Sequence, residues 1–275
     1  YKVTNVTVEN NLVSDVGNAI YMYLADNCVV NKNRISLVHA SSFSITGIYL
    51  AGSSGNVISS NKIGDCKGNG ICANNGGRTL NAASTDNKIT GNIINNTLND
   101  GIYIGTGSTG TVISKNDVGV SNKSGIVVLD SKKCQVISNK VSDCRLDGIY
   151  LKNIGDTDIK SNNVTTVKRY GVQVISSLLK SLYGNTITGN GNCGLRIVQS
   201  RISGSQQNRL RNNGSSYAVY SRNSTGSVLV RLPASARITR NTARITGTAA
   251  GGRRLTVYVV TKSGNKRIGQ GNVTS

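Results

Sequence analysis

Tryptophan is missing from this 275-residue chain, and phenylalanine, proline, histidine and methionine occur once each. With 37% hydrophobic and 4% aromatic residues, an ordinary globular core built on bulky rings is excluded. One histidine and no Cys-x-x-Cys pair exclude the usual zinc sites, so neither a metal nor a cofactor is expected. That histidine, His39, lies in an irregular stretch near Ser41 and Ser42 with no evident acidic partner, and reads as a loop residue, not a base. No apolar run approaches a membrane span and no signal peptide is recognisable. The chain opens at Tyr1, already inside a repeat, and reads as a mature fragment or a piece of something longer. Acid is the most uneven absence. Formal net charge is +20; residues 1–158 hold 14 Lys or Arg and all 12 acids, whereas residues 159–275 hold 18 Lys or Arg and no acid. Such asymmetry points to a polyanionic partner: acidic polysaccharide, cell-wall polymer, anionic lipid or nucleic acid.

What the chain does have is a repeat. Asn116, Asn139, Asn162 and Asn185 follow one another at 23 residues, as do Gly125, Gly148, Gly171 and Gly194, each Gly nine residues after its Asn. Asn92 with Gly101, Asn61 with Gly70 and Asn33 with Gly47 extend the series backwards to Asn11 with Ala19, and Asn208 with Ala218 closes it. A fixed period of this size marks a solenoid. After each Gly comes apolar–variable–apolar, as in Ile149-Tyr150-Leu151, which is strand periodicity. Three short strands and their turns fill one unit, so the fold class is all-β: a β-solenoid of about nine coils over residues 1–227. Two coils are longer, around Val38 to Phe43 and around Asn75 to Ser84, and loops on a solenoid often mark its binding face.

The Asn column predicts a ladder of side-chain amides along the axis, and Asn tolerates the left-handed backbone that such corners demand. The 32 glycines fit corners that need positive φ or lack room for a Cβ. Cys66 and Cys144 fall at one coil position three coils apart, too far to bond at ~4.8 Å per coil; the six cysteines are expected to be free, buried and structural.

These repeats, N-x-I/V followed by G-I-Y-L, resemble the right-handed parallel β-helix proteins of the pectate-lyase-like superfamily over about residues 3–225. Handedness comes from that resemblance. So does an extracellular or cell-surface, bacterial setting, and a glycan groove formed by the sheet after the Gly column. The superfamily spans lyases, hydrolases, epimerases, tailspikes and non-catalytic proteins, so activity does not follow from it.

The residue two beyond each Gly must face outward, giving the column Tyr21, Tyr49, Cys72, Tyr103, Val127, Tyr150, Gln173, Arg196 and Tyr220. Its tyrosines suit stacking of sugar rings, although Tyr is also simply a good strand residue. Lys123, Arg169 and Arg222 add cations to this binding face. A lyase or epimerase needs a base, a carboxylate-neutralising cation and a proton donor; Lys152, Tyr150 and Arg196 are candidates for these roles. A hydrolase needs paired carboxylates; Asp100 and Asp147, each before a Gly, stand two coils apart, ~9–10 Å. The NDG at Asp100 resembles one motif of polygalacturonase-like hydrolases, but the companion Asp-Asp, Gly-His-Gly and Arg-x-Lys are missing. Asp before Gly is also an ordinary turn residue. Lyase or epimerase chemistry therefore ranks above hydrolysis, if the chain is catalytic at all.

GTGSTG at Gly105–Gly110 matches a dinucleotide fingerprint, but it joins two strands and supplies no helix N-terminus for a phosphate. After Ser227 the pattern changes. Alternating runs at 243–246 and 255–259 flank a turn-like stretch and look like the start of an immunoglobulin-like module or a small β cap over 228–275. The leading expectation is a protein that engages polysaccharide, acidic by charge complementarity, along the Tyr-bearing sheet; the alternative is a non-catalytic adhesin or stalk whose basic half grips a cell-wall polymer. Nucleic acid ranks third for want of a base-reading motif.

Overall fold

The computed structural model of the chain describes residues 2–38, 45–75, 82–214, 219–231, 255–261 and 264–270, from residue 227 onward as backbone only. His39, Ser41, Ser42, the closing Ala218, the run at 243–246 and most of both long insertions lie outside the described residues. No helix occurs among the described residues. The strands stack in parallel from coil to coil, and one nine-stranded sheet runs the length of the solenoid, from Ile20–Tyr23 to Val219–Arg222. In the coil after Asn139 the three strands are Lys140–Ser142, Ile149–Lys152 and Thr157–Lys160.

The interior is built from aliphatic rows. Ile48, Ile71, Ile102, Ile126, Ile149, Val172 and Leu195, each one residue after the Gly marker, are fully buried. Two residues after the Asn, Ile94, Val118, Val141, Val164 and Ile187 form a second row. Stacking like on like at one coil spacing gives dense aliphatic packing without aromatic bulk, which is why the composition is so poor in rings.

The Asn column forms the expected ladder. From Asn11 to Asn208 each Nδ2 donates to the Oδ1 of the next coil's Asn at 2.9–3.0 Å. Each Oδ1 also accepts a backbone amide, as Asn162 Oδ1 does from Asn139 N at 3.0 Å, and each Nδ2 also donates to a carbonyl, as Asn162 does to Val136 O at 2.8 Å. One expectation needs correcting: the left-handed residue is not the Asn but the one before it. Lys32, Ser60, Lys115, Ser138, Ser161 and Gln207 have φ of 52–56° there. The turn residue absorbs the backbone cost, which leaves the Asn side chain free to point inward and satisfy the buried corner.

The Gly column likewise serves space, not positive φ. A Cβ on Gly148 would stand 2.7 Å from Gly171 O and collide with Val164 Cγ1, since the next coil lies directly on that Cα. Gly148→Ala should cost about 2–3 kcal/mol through overpacking, read as a lowered denaturation midpoint; wild-type stability would contradict this packing.

All six cysteines are buried and free. The register Cys66–Thr97–Ser121–Cys144 confirms the three-coil separation. Burial pushes the Cys66 and Cys144 thiols up to about 12, so they are inert as nucleophiles at neutral pH. The Gly105–Gly110 stretch turns into the strand Val112–Ser114. At the C-terminal end Thr225–Arg231 pairs with the solenoid strands Arg201–Ile202 and Asn208–Arg211, and Leu255–Thr261 and Gly264–Gln270 form an antiparallel pair.

Candidate functional site

The register of the nine-stranded sheet places the outward column as expected: Tyr21, Tyr49, Cys72, Tyr103, Val127, Tyr150, Gln173, Arg196 and Tyr220 are successive partners. The column is not evenly exposed. Cys72, Val127 and Gln173 are buried although they point outward, because each lies between larger neighbours in the register. Small and large side chains alternate, so part of the tyrosine pattern is lateral packing on the sheet.

The two ends of the face differ in chemistry. At the N-terminal end Tyr21 is 52% exposed, with ring centroids 5.2 Å from Tyr49 and 6.2 Å from Tyr23. Tyr49 OH donates to Asn74 Oδ1 at 2.8 Å, which fixes its ring as part of a platform. Tyr103 and Tyr150 are half-buried in the middle, and burial raises the pKa of both phenols, leaving them protonated donors at neutral pH.

At the C-terminal end the face is cationic. Arg196 lies over the Tyr170 ring at 5.3 Å and over Tyr220 at 5.8 Å; Arg169 lies over the same Tyr170 ring at 5.4 Å. These are cation–π distances. Arg169 is not free: its Nε and Nη2 bind Asp147 Oδ1 and Oδ2 at 3.0 and 2.8 Å, and Nη2 also donates to Gln173 Oε1. A bidentate fork of this kind is the strongest ion-pair geometry available to Arg. Lys152 and Arg222 are exposed two residues past Tyr150 and Tyr220, on the same face. Lys123 is exposed on the corner that enters the sheet, in backbone register with Leu146 and Arg169.

Both carboxylates are engaged in holding the corner together. Asp100 Oδ1 accepts the Ser124 amide at 2.8 Å, and Asp147 Oδ1 accepts the Tyr170 amide at 3.2 Å. Burial pushes Asp147 above the ordinary carboxylate range, and Arg169 pulls it part of the way back. Burial does the same to Asp100, against the Ser124 amide and the nearby Lys123 charge. Sequence reasoning did not single out Tyr170. It occupies the position held by Asp100 and Asp147 in other coils, so a column of residues before the Gly would have shown it. Among the described residues no group of three His, Cys, Asp or Glu side chains could hold a metal ion.

This geometry belongs to a right-handed parallel β-helix, and the family model "Right handed beta helix region" matches residues 1–118 and 100–251. The chain is a member of that family. No curated protein matches it in sequence. Among solved structures it is similar to a double mutant of the periplasmic alginate epimerase AlgG, at 14% identity and TM-score 0.69, covering 94% of this chain and 70% of that one. The A-module of the Azotobacter vinelandii mannuronan C-5 epimerase AlgE6 is similar at 13% identity and TM-score 0.58, covering 94% and 89%. Tailspike protein 2 of an Escherichia coli O157:H7 bacteriophage is similar at 15% identity and TM-score 0.63; the alignment covers 93% of this chain but only 38% of the tailspike. At these identities the likeness is one of fold. Among the described residues no helix is long and apolar enough to cross a membrane.

Proposed function

We propose that the chain binds acidic polysaccharide along the nine-stranded sheet, in an extracellular, periplasmic or cell-surface setting. The observation that carries this is the order of side chains on one face: an exposed tyrosine platform at Tyr21 and Tyr49, phenols at Tyr103 and Tyr150, then Arg196 held between Tyr170 and Tyr220 and, among the described residues, in no ion pair. Rings offer stacking surfaces to sugars; a guanidinium fixed by flanking rings offers a carboxylate a planar, prepaid partner. Epimerases named for alginate and mannuronan share the fold, which supports a polyuronate ligand. The substrate-binding set is then Tyr21, Tyr49, Tyr103, Lys123, Arg169, Tyr220 and Arg222.

Lyase or epimerase chemistry would use Lys152 as base, Tyr150 as proton donor and Arg196 as the cation that neutralises the uronate carboxylate. Hydrolysis has less support, because Asp100 and Asp147 would each have to give up a corner amide, and Asp147 also Arg169. That same engagement supports the second reading, a non-catalytic adhesin or stalk that grips cell-wall polymer. Incubation with polyuronates and sulfated glycans decides between them. Unsaturated or epimerised product, lost at least tenfold in Lys152→Ala, is the catalytic outcome; salt-sensitive retention without product is the binding outcome; neither would remove the polysaccharide reading.

A further inference from the structure

Away from the nine-stranded sheet, we infer a docking surface for an anionic lipid bilayer on the strand Leu178–Tyr183, the third of its coil. In the two coils before it, the chain reaches this strand through a left-handed turn residue, Lys133 (φ 56°) and then Asp156 (φ 49°). That residue has no counterpart between Leu178, whose amide donates to Ile154 O, and Leu179, which pairs with Thr157. It returns two positions later as Lys180, the extra residue of a β-bulge, since Ser181 pairs with Asp158. Bulges of this kind re-aim side chains. The turn is replaced by an unbroken strand of six residues, where the coil before has the four of Thr157–Lys160. An extended strand on the outside of a solenoid encloses nothing, and suits a flat partner.

Its side chains have the chemistry of a membrane interface. Among the described residues beyond Val120, the only exposed large hydrophobics are Leu178 (41%) and Tyr183 (38%), both on this strand. Lys180 is exposed between them, and Arg201, the register partner of Leu178, is exposed in the next coil. Neither cation forms an ion pair among the described residues, and no acid follows Asp158 in the chain. Asp158 is buried and held by Lys160 at 3.1 Å; Asp156 stands exposed at the rim, one coil away. Lys and Arg meet lipid phosphates, a phenol sits at headgroup depth, and an aliphatic side chain reaches the acyl boundary. An acidic peptide would answer the two cations; a bilayer answers the cations and Leu178 together.

The experiment is co-flotation of the full chain with vesicles of phosphatidylglycerol and phosphatidylcholine in equal parts, against phosphatidylcholine alone. Binding should need the anionic lipid and weaken as salt rises. Lys180→Gln with Arg201→Gln should weaken it about 25-fold, ~fivefold per cation. Leu178→Ser should weaken it about four- to 15-fold, the worth of one or two buried methylenes. Melting midpoints of these variants should match wild type. Lys62→Gln with Lys67→Gln removes the same charge from exposed positions in the other half of the chain and should lose far less. The chain has no tryptophan, so Tyr183→Trp supplies a sole reporter whose emission should shift to the blue on the vesicles. No flotation, an unshifted reporter, or equal losses in the two charge variants would overturn the surface. Displacement of the vesicles by excess oligomannuronate would place the lipid on the nine-stranded sheet and overturn the assignment to this strand. Tighter binding of soluble poly-glutamate, lost in the same variants, would give the surface to an acidic protein instead.

Discussion

Asn162→Ala should cost about 3 kcal/mol or more of unfolding free energy. The substitution leaves the Asn139 backbone amide buried without its acceptor, and takes one hydrogen-bond partner each from the Val136 carbonyl and from the side-chain amides of Asn139 and Asn185. Each orphaned buried group costs about 1–3 kcal/mol, with the space left by the side chain in addition. Asn162→Asp separates donor from acceptor. The ionised form places an oxygen against Val136 O and Asn185 Oδ1, where the native residue supplies hydrogens, so burial and these acceptors raise its folded pKa well above its unfolded value. Stability of that variant should be highest below the unfolded pKa and be lost as pH rises through the folded one. Denaturant unfolding at several pH values reads both effects. A loss below 1 kcal/mol in Asn162→Ala would show that the ladder is ornament on a structure held by its aliphatic rows.

Arg169→Met should cost about 2–3 kcal/mol at neutral pH. Asp147 has 1% side-chain exposure and Arg169 43%; removing one partner of a fully buried pair costs ~3–5 kcal/mol, and the exposure of Arg169 reduces that. The remaining carboxylate, held only by the Tyr170 amide, would have its pKa pushed further up. The sign follows: with a folded pKa above the unfolded one, the variant recovers at low pH and weakens as pH rises through the folded value. Adding Asp147→Asn should restore most of the loss, because the amide oxygen still accepts from Tyr170 N and no charge is buried. No recovery in the double variant would mean that Arg169 acts through packing on Tyr170 and not through its charge.

The fold was legible because a solenoid writes its geometry as a period. Asn139, Gly148 and Ile149 each announce a ladder, a close contact and an interior row by recurring at 23 residues, and the structure places them there. Less visible was a second set of corner devices. Ser177 N donates to Ser200 Oγ and Ser200 N to Ser224 Oγ, and Asn56 donates to Asn87, at 3.0–3.1 Å. Serine is too common for its column to stand out by eye. The site was half legible. Alternation fixes which residues face outward, hence Tyr21 to Tyr220, but not how neighbours cover one another. The burial of Gln173 and the capture of Arg169 by Asp147 depend on contacts between coils 22 residues apart. Tyr170, the ring between two arginines, was hidden because its column changes residue type from coil to coil.

Capture of an acidic glycan by the cationic end of this sheet is the proposal most open to test. Its most direct measurement is calorimetric titration of the chain with a defined oligomannuronate, wild type against Arg196→Gln. Among the described residues Arg196 forms no ion pair that its loss would orphan, so the variant should fold as wild type does. Binding should be saturable, weaken as salt rises and fall at least tenfold in the variant. Binding of equal strength in both proteins, insensitive to salt, would contradict it.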